Sequence, residues 1–387
     1  MFSYGMILAD WMQKVDLETE IHEVYIHSFL FRFATSLISI FIPLYILDIG
    51  FAPIYAITFY IVYDLTMLVF SVPFAYLAAR IGYKRVALLS SILWLSFYLF
   101  LRVVETYPAL YLAAVIGGMG FNLYWIGMNP EVAESSHEDR TDKESGFFFS
   151  MPSLANIVSP FVGGLILALL GFSSLFVLAT VMIGVSFVPF LFSREHRGGM
   201  ELGYSDFVSK EYLDDFLTYF FDGLQSVGHI VIWPLYIAVV IGGSVNIGSV
   251  GSLLALGGAL SSIFVGKLSQ KYGRNKVLFY GPSCLALVVV SMALTGSVAV
   301  AFLVSLLHGL FHNTLTVPIY GSAIDRSEES DVLEYFTFRE IALTLGRLFG
   351  LSIAGLGFVI VPEYKFLAAF SFMAVAVLLC SFFARRI

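Results

Sequence analysis

The sequence predicts an all-α integral membrane protein with twelve transmembrane helices arranged as two pseudo-symmetric six-helix bundles. Two observations support this fold class: the apolar composition and an internal repeat. Of the 387 residues, 59% are hydrophobic and only 13% are charged, and the mean hydropathy is +0.87. A soluble domain of this size needs more polar surface than these residues supply, so the chain is expected to lie in a bilayer.

The repeat divides the chain into two similar halves. The segment Ile42–Ile46 returns as Trp233–Ile237, 191 residues later. The same offset relates Gly82 to Gly273, Gly118 to Gly309, Asn122 to Asn313, and Gly164 to Gly355. A constant offset without gaps indicates duplication of one membrane unit. Repeated units of this kind are typical of secondary transporters.

Apolar stretches of about 20 residues, the length that crosses a hydrocarbon layer, define the elements in order. They cover 25–48, 53–79, 85–103, 107–128, 146–171, 173–193, 213–241, 246–267, 277–295, 298–321, 335–361 and 365–384. The predicted domains are an amphipathic cytoplasmic segment at 1–24, an N-terminal six-helix bundle at 25–193, a cytoplasmic linker at 194–212 and a C-terminal bundle at 213–387.

Lys and Arg residues set the expected orientation. The two ends of the chain, the linker and one alternating set of loops hold 16 of the 21 cations, whereas the opposite loops hold only Arg102 and Lys365. By the positive-inside rule, both termini are expected in the cytoplasm of a multi-pass cell-membrane protein, in a plasma or inner membrane. The net charge of −7 comes without a basic patch, which disfavours nucleic acid as a partner. The expected partners are a small-molecule substrate, protons and the lipid bilayer. No cofactor or resident metal is predicted, and the chain is expected to be a monomer.

Basic residues and a glycine recur in the loop after the second span and in its copy in the second half. They are Arg80, Gly82, Lys84 and Arg85, and then Lys271, Gly273 and Arg274. In this pattern the chain resembles the major facilitator superfamily, whose loop reads Gly-x-x-x-Asp-Arg-x-Gly-Arg-Lys/Arg. Ala79 and Gln270 replace the aspartate of that motif. The resemblance implies the fold predicted above and a role for these loop residues in gating the cytoplasmic side.

The fifth span carries a second motif. It contains Gly146, Ala155, Ser159, Pro160, Gly163 and Gly164, at the spacing of Gly-x8-Gly-x3-Gly-Pro-x2-Gly-Gly. This resembles the proton-driven export branches of the family and implies a gating helix in an antiporter. The alternative is ordinary helix packing, because small residues at this spacing are common in membrane helices.

Polar residues inside the spans are costly there, and they indicate where a site lies. Helical spacing places several of them on shared faces of the first, fourth, seventh, tenth and eleventh spans. The resemblance implies that these faces meet in one central cavity. The expected substrate-binding residues are Arg32, Ser36, Asn122, Trp125, Gln225, His229, Trp233, Asn313 and Arg347.

Carboxylates and histidines in the spans are the candidates for proton coupling, because a buried carboxyl group can bind and release a proton near neutral pH. They are Asp64, Asp222 and Glu340, with His308 and His312 as possible relays. Structural roles remain open for some of these polar residues. Arg32 and Asp222 fall at adjacent repeat positions and are compatible with an ion pair, and Asn122 and Asn313 are compatible with helix packing.

These features predict a secondary active transporter that moves a small amphipathic or aromatic organic solute by alternating access, with proton coupling and export. One alternative is a divalent metal-ion carrier that uses His and carboxylate ligands. Another is a proton symporter or facilitator for an anionic metabolite. An enzyme is not expected, since the sequence contains neither a nucleophile with its base nor a motif such as His-Glu-x-x-His.

Overall fold

A computed structural model describes residues 26–135, 142–191, 212–328 and 331–387. In these ranges the protein is helical, and eleven helices are long and apolar enough to cross a membrane. One of them, Ser153–Pro189, has 37 residues, and as a straight helix it would far exceed a hydrocarbon thickness of about 30 Å.

Gly171 divides this long helix into two spans. Its φ of 76° and ψ of 174° are not helical, and only glycine adopts such a conformation readily. Packing shows that the chain reverses there. Tyr45, at the end of the first span, packs on Phe172 and Phe176, just after Gly171. His27, at the start of the first span, packs on Phe187, near the end of the segment that follows Gly171.

The division gives twelve spans, numbered here in chain order. They are α1 (Ile26–Asp48), α2 (Pro53–Ile81), α3 (Tyr83–Leu101), α4 (Tyr107–Ser135), α5 (142–170), α6 (172–190), α7 (Leu213–Ile241), α8 (Ser244–Tyr272), α9 (Arg274–Met292), α10 (Val298–Glu328), α11 (Val332–Ile360) and α12 (Lys365–Ala384). The predicted fold class is confirmed.

Three helices end at least one helical turn later than the apolar pattern predicts. The spans α4, α8 and α10 end at residues 135, 272 and 328, whereas the predictions end them at 128, 267 and 321. The added turns carry polar and charged residues, which interrupt an apolar stretch without interrupting the backbone hydrogen bonds of a helix. The apolar pattern therefore marks the hydrocarbon-embedded part and underestimates the helix.

The first helix of each half is interrupted at the repeated proline. A turn at residues 40 and 41 breaks α1, and Pro43 lies in the first turn of the continuation Ile42–Asp48. In α7, π-helical turns at Gly228–Ile232 and Ile237–Ile241 flank the short α-helical segment that begins with Trp233 and Pro234. Proline lacks the amide donor that a continuous helix needs, so both interruptions follow from the sequence.

Repeat-related glycines hold equivalent helices together. A methyl group placed on Gly118 of α4 would strike the carbonyl oxygen of Tyr63 in α2, and one on Gly309 of α10 would strike that of Leu254 in α8. Gly118 and Tyr63 each lie 191 residues before their counterparts in the second contact, Gly309 and Leu254. Close backbone approach at small residues is a principal source of helix association in membranes.

The repeated asparagines make equivalent hydrogen bonds across the same helix pairs. The Asn122 amide donates to Ser71 Oγ at 3.0 Å, and the Asn313 amide donates to Ser262 Oγ at 2.8 Å. Asn313 also donates to the Gly258 carbonyl at 2.7 Å. The two bundles therefore share packing and polar contacts at matching positions.

The two halves meet along α2 with α11 and along α5 with α8. The second interface is tight, because Gly164 faces the backbone of Ser244 and Gly248 faces the carbonyl of Pro160. In the first interface, Gly355 lies near Ile57. The predicted segment 1–24 lies outside the described residues, as does the linker 194–212 except for Tyr212. The domain boundaries remain a prediction.

Gly346 provides a direct test of helix packing in the C-terminal bundle. A side chain at Gly346 of α11 would strike the carbonyl oxygen of Phe220 in α7, whereas one at Gly357 of the same helix would meet open space. We expect Gly346→Ala to destabilise the folded protein by about 1–3 kcal/mol through overpacking. Gly357→Ala should be neutral or slightly stabilising, because alanine favours the helix over glycine. Thermal unfolding in detergent measures both, and equal midpoints would contradict the packing described here.

Candidate functional site

A central cavity of about 670 Å³ lies between the two halves. Its wall is largely aromatic and apolar, with a few polar groups, which is the usual make-up of a small-molecule site. The aromatic residues that line it are Phe31, Tyr60, Tyr63, Trp94, Phe97, Tyr98, Phe121 and Trp125. The wall includes side chains from both bundles, so a solute in the cavity would contact both halves.

Asp64 and Arg347 form an ion pair on the wall of this cavity. Arg347 Nε of α11 donates to Asp64 Oδ1 of α2 at 2.9 Å, and both side chains are largely buried. Arg347 Nη2 also donates to Thr344 Oγ1 at 2.8 Å and lies 3.9 Å from Met67 Sδ. The pair joins the two halves at the α2 and α11 interface.

Glu340 lies two turns before Arg347 on the same face of α11, where α4 meets α11. Its Oε1 accepts from Arg339 Nη1 at 3.1 Å and from the Asn129 amide at 3.4 Å. The Arg339 guanidinium also lies 5.5 Å from the ring centres of both Tyr219 and Tyr320. Glu340 is thus held by a neighbouring cation and lies outside the lining of the cavity.

Arg32 faces the cavity from α1. Its guanidinium carbon lies 4.6 Å from the centre of the Trp125 ring of α4, a cation–π contact. Ser36, one turn along α1, donates to Asn156 Oδ1 of α5 at 2.6 Å. The sequence-based ion pair between Arg32 and Asp222 does not form among the described residues, since Asp222 instead accepts a hydrogen bond from Gln225.

Three histidines meet on the C-terminal side of the cavity. His308 and His312 are one turn apart on α10, with ring centres 5.3 Å apart, and His229 of α7 lies 5.1 Å and 4.6 Å from them. One ring nitrogen from each can be chosen so that all three lie within 4.8 Å of one another. All three side chains line the cavity.

The structure therefore brings most of the sequence-predicted substrate-binding and proton-coupling residues to one place. Those that line the cavity are Arg32, Ser36, Asp64, Trp125, His229, His308, His312, Asn313 and Arg347. Those that lie elsewhere are Asn122, Asp222, Gln225, Trp233 and Glu340. Trp233 is fully buried and donates its Nε1 to Ser305 Oγ at 3.1 Å, and it stacks on Tyr236.

The loop residues expected to act in gating occupy two equivalent turns. Gly82 and Gly273 have φ values of 103° and 87° and join α2 to α3 and α8 to α9. Arg274 Nη2 donates to the Pro318 carbonyl of α10 at 2.9 Å. Lys84 is buried, whereas the Arg80 and Arg85 side chains are exposed, and Lys271 lies over Tyr272 at 5.1 Å.

The motif of α5 contacts one helix of its own half and one helix of the other half. Gly163 approaches the carbonyl of Leu37 in α1, and Gly164 approaches Ser244 in α8. Ser159 and Ala155 are buried, and Pro160 lines the cavity. Gly146 lies in the helix 142–170, and the side-chain surroundings of that stretch are outside the part of the chain that the structure describes.

Asn156 is a cavity residue that the sequence reasoning missed. It lies 191 residues before Arg347 and therefore occupies the equivalent position in the first half. The repeat offset, applied to Arg347, would have identified it. A network of Asp215, Tyr335 and Arg326 near the start of α7 was also missed, with Tyr335 donating to Asp215 at 2.8 Å.

Comparison with known proteins gives a consistent result. The sequence profile described as Major Facilitator Superfamily matches residues 24–205 and 216–387. A relative from Bacillus subtilis (strain 168), "Uncharacterized protein YqgE", is 23% identical over 312 residues, which are 74% of this chain and 71% of the relative.

Solved structures share the fold. The crystal structure of the nucleoside transporter NupG superposes with a TM-score of 0.70 at 12% identity, covering 94% of this chain and 97% of that one. A mutant of NupG gives a TM-score of 0.68 at 12% identity, covering 94% and 98%. Because the family profile spans both halves of the chain, the protein belongs to the Major Facilitator Superfamily, as a multi-pass membrane transporter.

Proposed function

We propose that this protein is a proton-coupled secondary transporter that exports a small amphipathic or aromatic organic solute by alternating access. The observation that carries the proposal is the Asp64 and Arg347 ion pair, which lies on the cavity wall and joins the two halves. A carboxylate in this position can couple protonation to movement, because its charge holds the interface that alternating access must open.

The energetic argument follows from the place of the pair in the membrane. A buried ion pair whose partner is removed costs about 3–5 kcal/mol, since one charge is left uncompensated. Protonation of Asp64 neutralises one partner and weakens the α2 and α11 interface by the same mechanism. Arg347 then remains hydrogen bonded to Thr344, which offers its guanidinium a second acceptor.

The cavity supports the choice of solute. Its aromatic lining suits planar or amphipathic molecules, and Arg32 over Trp125 adds a cation beside an aromatic face. Arg32 also favours a solute with an anionic or hydrogen-bond-accepting group, which keeps the symport of an anionic metabolite as the second candidate. The likeness to NupG is a likeness of fold, and nucleosides therefore enter the experiments as one class among several.

Export is supported by the small-residue motif of α5. Gly163 packs on α1 of the same half, Gly164 packs on α8 of the other half, and Pro160 faces the cavity. A helix that combines close packing with a proline can bend at this interface. The proposed direction is export by antiport, in which protons move inward as solute leaves.

Removal of the Asp64 charge tests proton coupling. We expect Asp64→Asn to abolish uphill transport driven by a pH gradient while solute exchange continues at a rate that no longer depends on pH. Arg347→Gln should also lose uphill transport, but its exchange should retain a pH dependence because the carboxyl group remains. Proteoliposomes measure both, with a solute selected by counterflow from aromatic amino acids, nucleosides and amphipathic dyes.

The matched control is Asp48→Asn, which removes an exposed carboxylate at the end of α1. It should transport like the parent. The double variant Asp64→Asn with Arg347→Gln removes both charges and serves as a check on folding, since it leaves no uncompensated charge. Unaltered gradient-driven transport in Asp64→Asn would reject Asp64 as the proton carrier.

Replacement of Trp125 tests the aromatic wall. An aromatic contact contributes about 0.5–1.5 kcal/mol, so Trp125→Ala should weaken binding of the selected solute about 2- to 12-fold at 1.4 kcal/mol per tenfold. Trp125→Phe should recover part of that affinity. Phe382→Ala, an outward-facing aromatic of α12, is the control. Binding measured by titration calorimetry would contradict the assignment if Trp125→Ala equalled the parent.

A further inference from the structure

We propose that His229, His308 and His312 bind a divalent transition-metal ion on the wall of the cavity, and that this ion enters as part of the transported cargo. The proposal deepens the proposed function, because it assigns the cargo to a class, the complexes of such an ion with a small organic anion. It rests on the position, spacing and partners of the three imidazoles.

The spacing of the ring nitrogens is close to that of a metal site. One nitrogen from each histidine lies within 4.8 Å of the others. In a tetrahedral zinc site with metal–nitrogen bonds of about 2.0–2.1 Å, ligand nitrogens are about 3.4 Å apart. Side-chain rotations that move each ring nitrogen by about 1 Å would therefore bring the three nitrogens to the spacing of a zinc site, with the helices in place.

The sequence places these rings together by two different local structures. His308 and His312 are four residues apart on α10, and this spacing stacks their rings on one face. His229 lies in the π-helical turn Gly228–Ile232 of α7. Single π-helical turns are rare inside helices and are frequent at functional sites.

The imidazoles are available as ligands. Nδ1 of His229 and Nδ1 of His312 are buried and make no hydrogen bond within the described part of the chain. A buried polar atom without a hydrogen-bond partner costs free energy of folding. The two nitrogens therefore indicate a ligand that would serve as their partner. Neutral imidazole is the preferred nitrogen ligand of Zn²⁺, Co²⁺, Ni²⁺ and Cu²⁺.

Charge indicates what completes the coordination. Three neutral imidazoles leave the two positive charges of the ion uncompensated, and Asp222, which accepts a hydrogen bond from Gln225, does not line the cavity. The carboxylates of Asp64 and Glu340 are already paired with Arg347 and Arg339. The fourth ligand is therefore an anionic oxygen from a solute in the cavity, where Arg32 also carries a positive charge.

The geometry leaves that fourth position accessible. All three histidines line the cavity, which has a volume of about 670 Å³, and three protein ligands with an accessible fourth position are the arrangement of catalytic zinc sites. A small organic acid that chelates the ion would fit beside Trp125 and Arg32. The ion then connects α7 and α10 through the three imidazoles, and the bound acid completes its coordination.

Metal binding is tested first on the full-length protein in detergent, purified with a tag that contains no histidine. Titration calorimetry with Zn²⁺ and absorption spectroscopy with Co²⁺ should detect one site, and the Co²⁺ spectrum should report tetrahedral nitrogen coordination. His308→Gln and His312→Gln should each weaken binding more than about 100-fold, because even residues that only orient ligands change affinity about 10- to 100-fold. His196→Gln, outside the described residues, is the matched control and should bind like the parent.

The second test follows the ion across the membrane. Proteoliposomes should exchange radioactive zinc supplied with citrate faster than zinc alone, and His308→Gln should abolish that exchange. Equal zinc affinity in the parent and both histidine variants would overturn the site. Zinc binding without any zinc exchange, with or without citrate, would overturn its role as cargo. Because the binding test uses no pH gradient, its outcome is independent of Asp64 coupling and separates this inference from the proposed function.

Discussion

Close approach of helix backbones is the constraint on which this structure depends. In a bilayer, apolar side chains gain little by leaving lipid for another helix, so association relies on tight packing and on interhelical hydrogen bonds. Gly118 and Gly309 provide that packing at equivalent places, each facing a carbonyl of the helix beside it. Asn122 and Asn313 add one hydrogen bond to a serine in each bundle. The cavity exists because these contacts hold six helices on either side of it.

The chemistry of the cavity departs from the repeat that builds the scaffold. At the 191-residue offset, Asp64 corresponds to Ala255, and Arg347 corresponds to Asn156. The histidines correspond to residues without metal-binding side chains, with His229 matching Ile38, His308 matching Gly117, and His312 matching Phe121. Packing positions such as Gly118 and Gly309 therefore remain paired between the halves, whereas the charged and histidine positions of the cavity differ.

The sequence predicted the fold well because hydropathy and a gapless repeat are both strong signals over 387 residues. Even the break between the fifth and sixth spans lay within two residues of Gly171, whose conformation explains it. The partners of the charged residues were less accessible to prediction. Asp64 has no cation near it in its own helix, and its partner Arg347 is 283 residues away in the sequence. Only packing of the two halves brings such residues into contact.

Helix geometry explains why one predicted stripe was partly misplaced. The spacing of Asp222, Gln225, His229 and Trp233 puts them on one face only if α7 is a regular α-helix. The π-helical turn Gly228–Ile232 has more residues per turn and rotates the following segment. His229 remains on the cavity wall, whereas Trp233 turns towards Ser305 of α10 and becomes part of the core. Pro234 indicates an interruption of α7, but it does not indicate that the interruption takes the form of a π-helical turn.

The two interfaces between the halves have different physical character, and this bears on how a proton could drive the proposed cycle. The α5 and α8 interface is held by backbone contact at Gly164 and Gly248, which no change of charge can loosen. The α2 and α11 interface contains the Asp64 and Arg347 pair, whose strength depends on one carboxylate. Under the proposed mechanism, protonation weakens only the second interface, and the first acts as the axis on which the halves rock. Under the same proposal, a solute between Trp125 and the three histidines contacts both bundles and lies in the cavity that Asp64 and Arg347 also line, so the state of the pair and the presence of solute bear on the same motion.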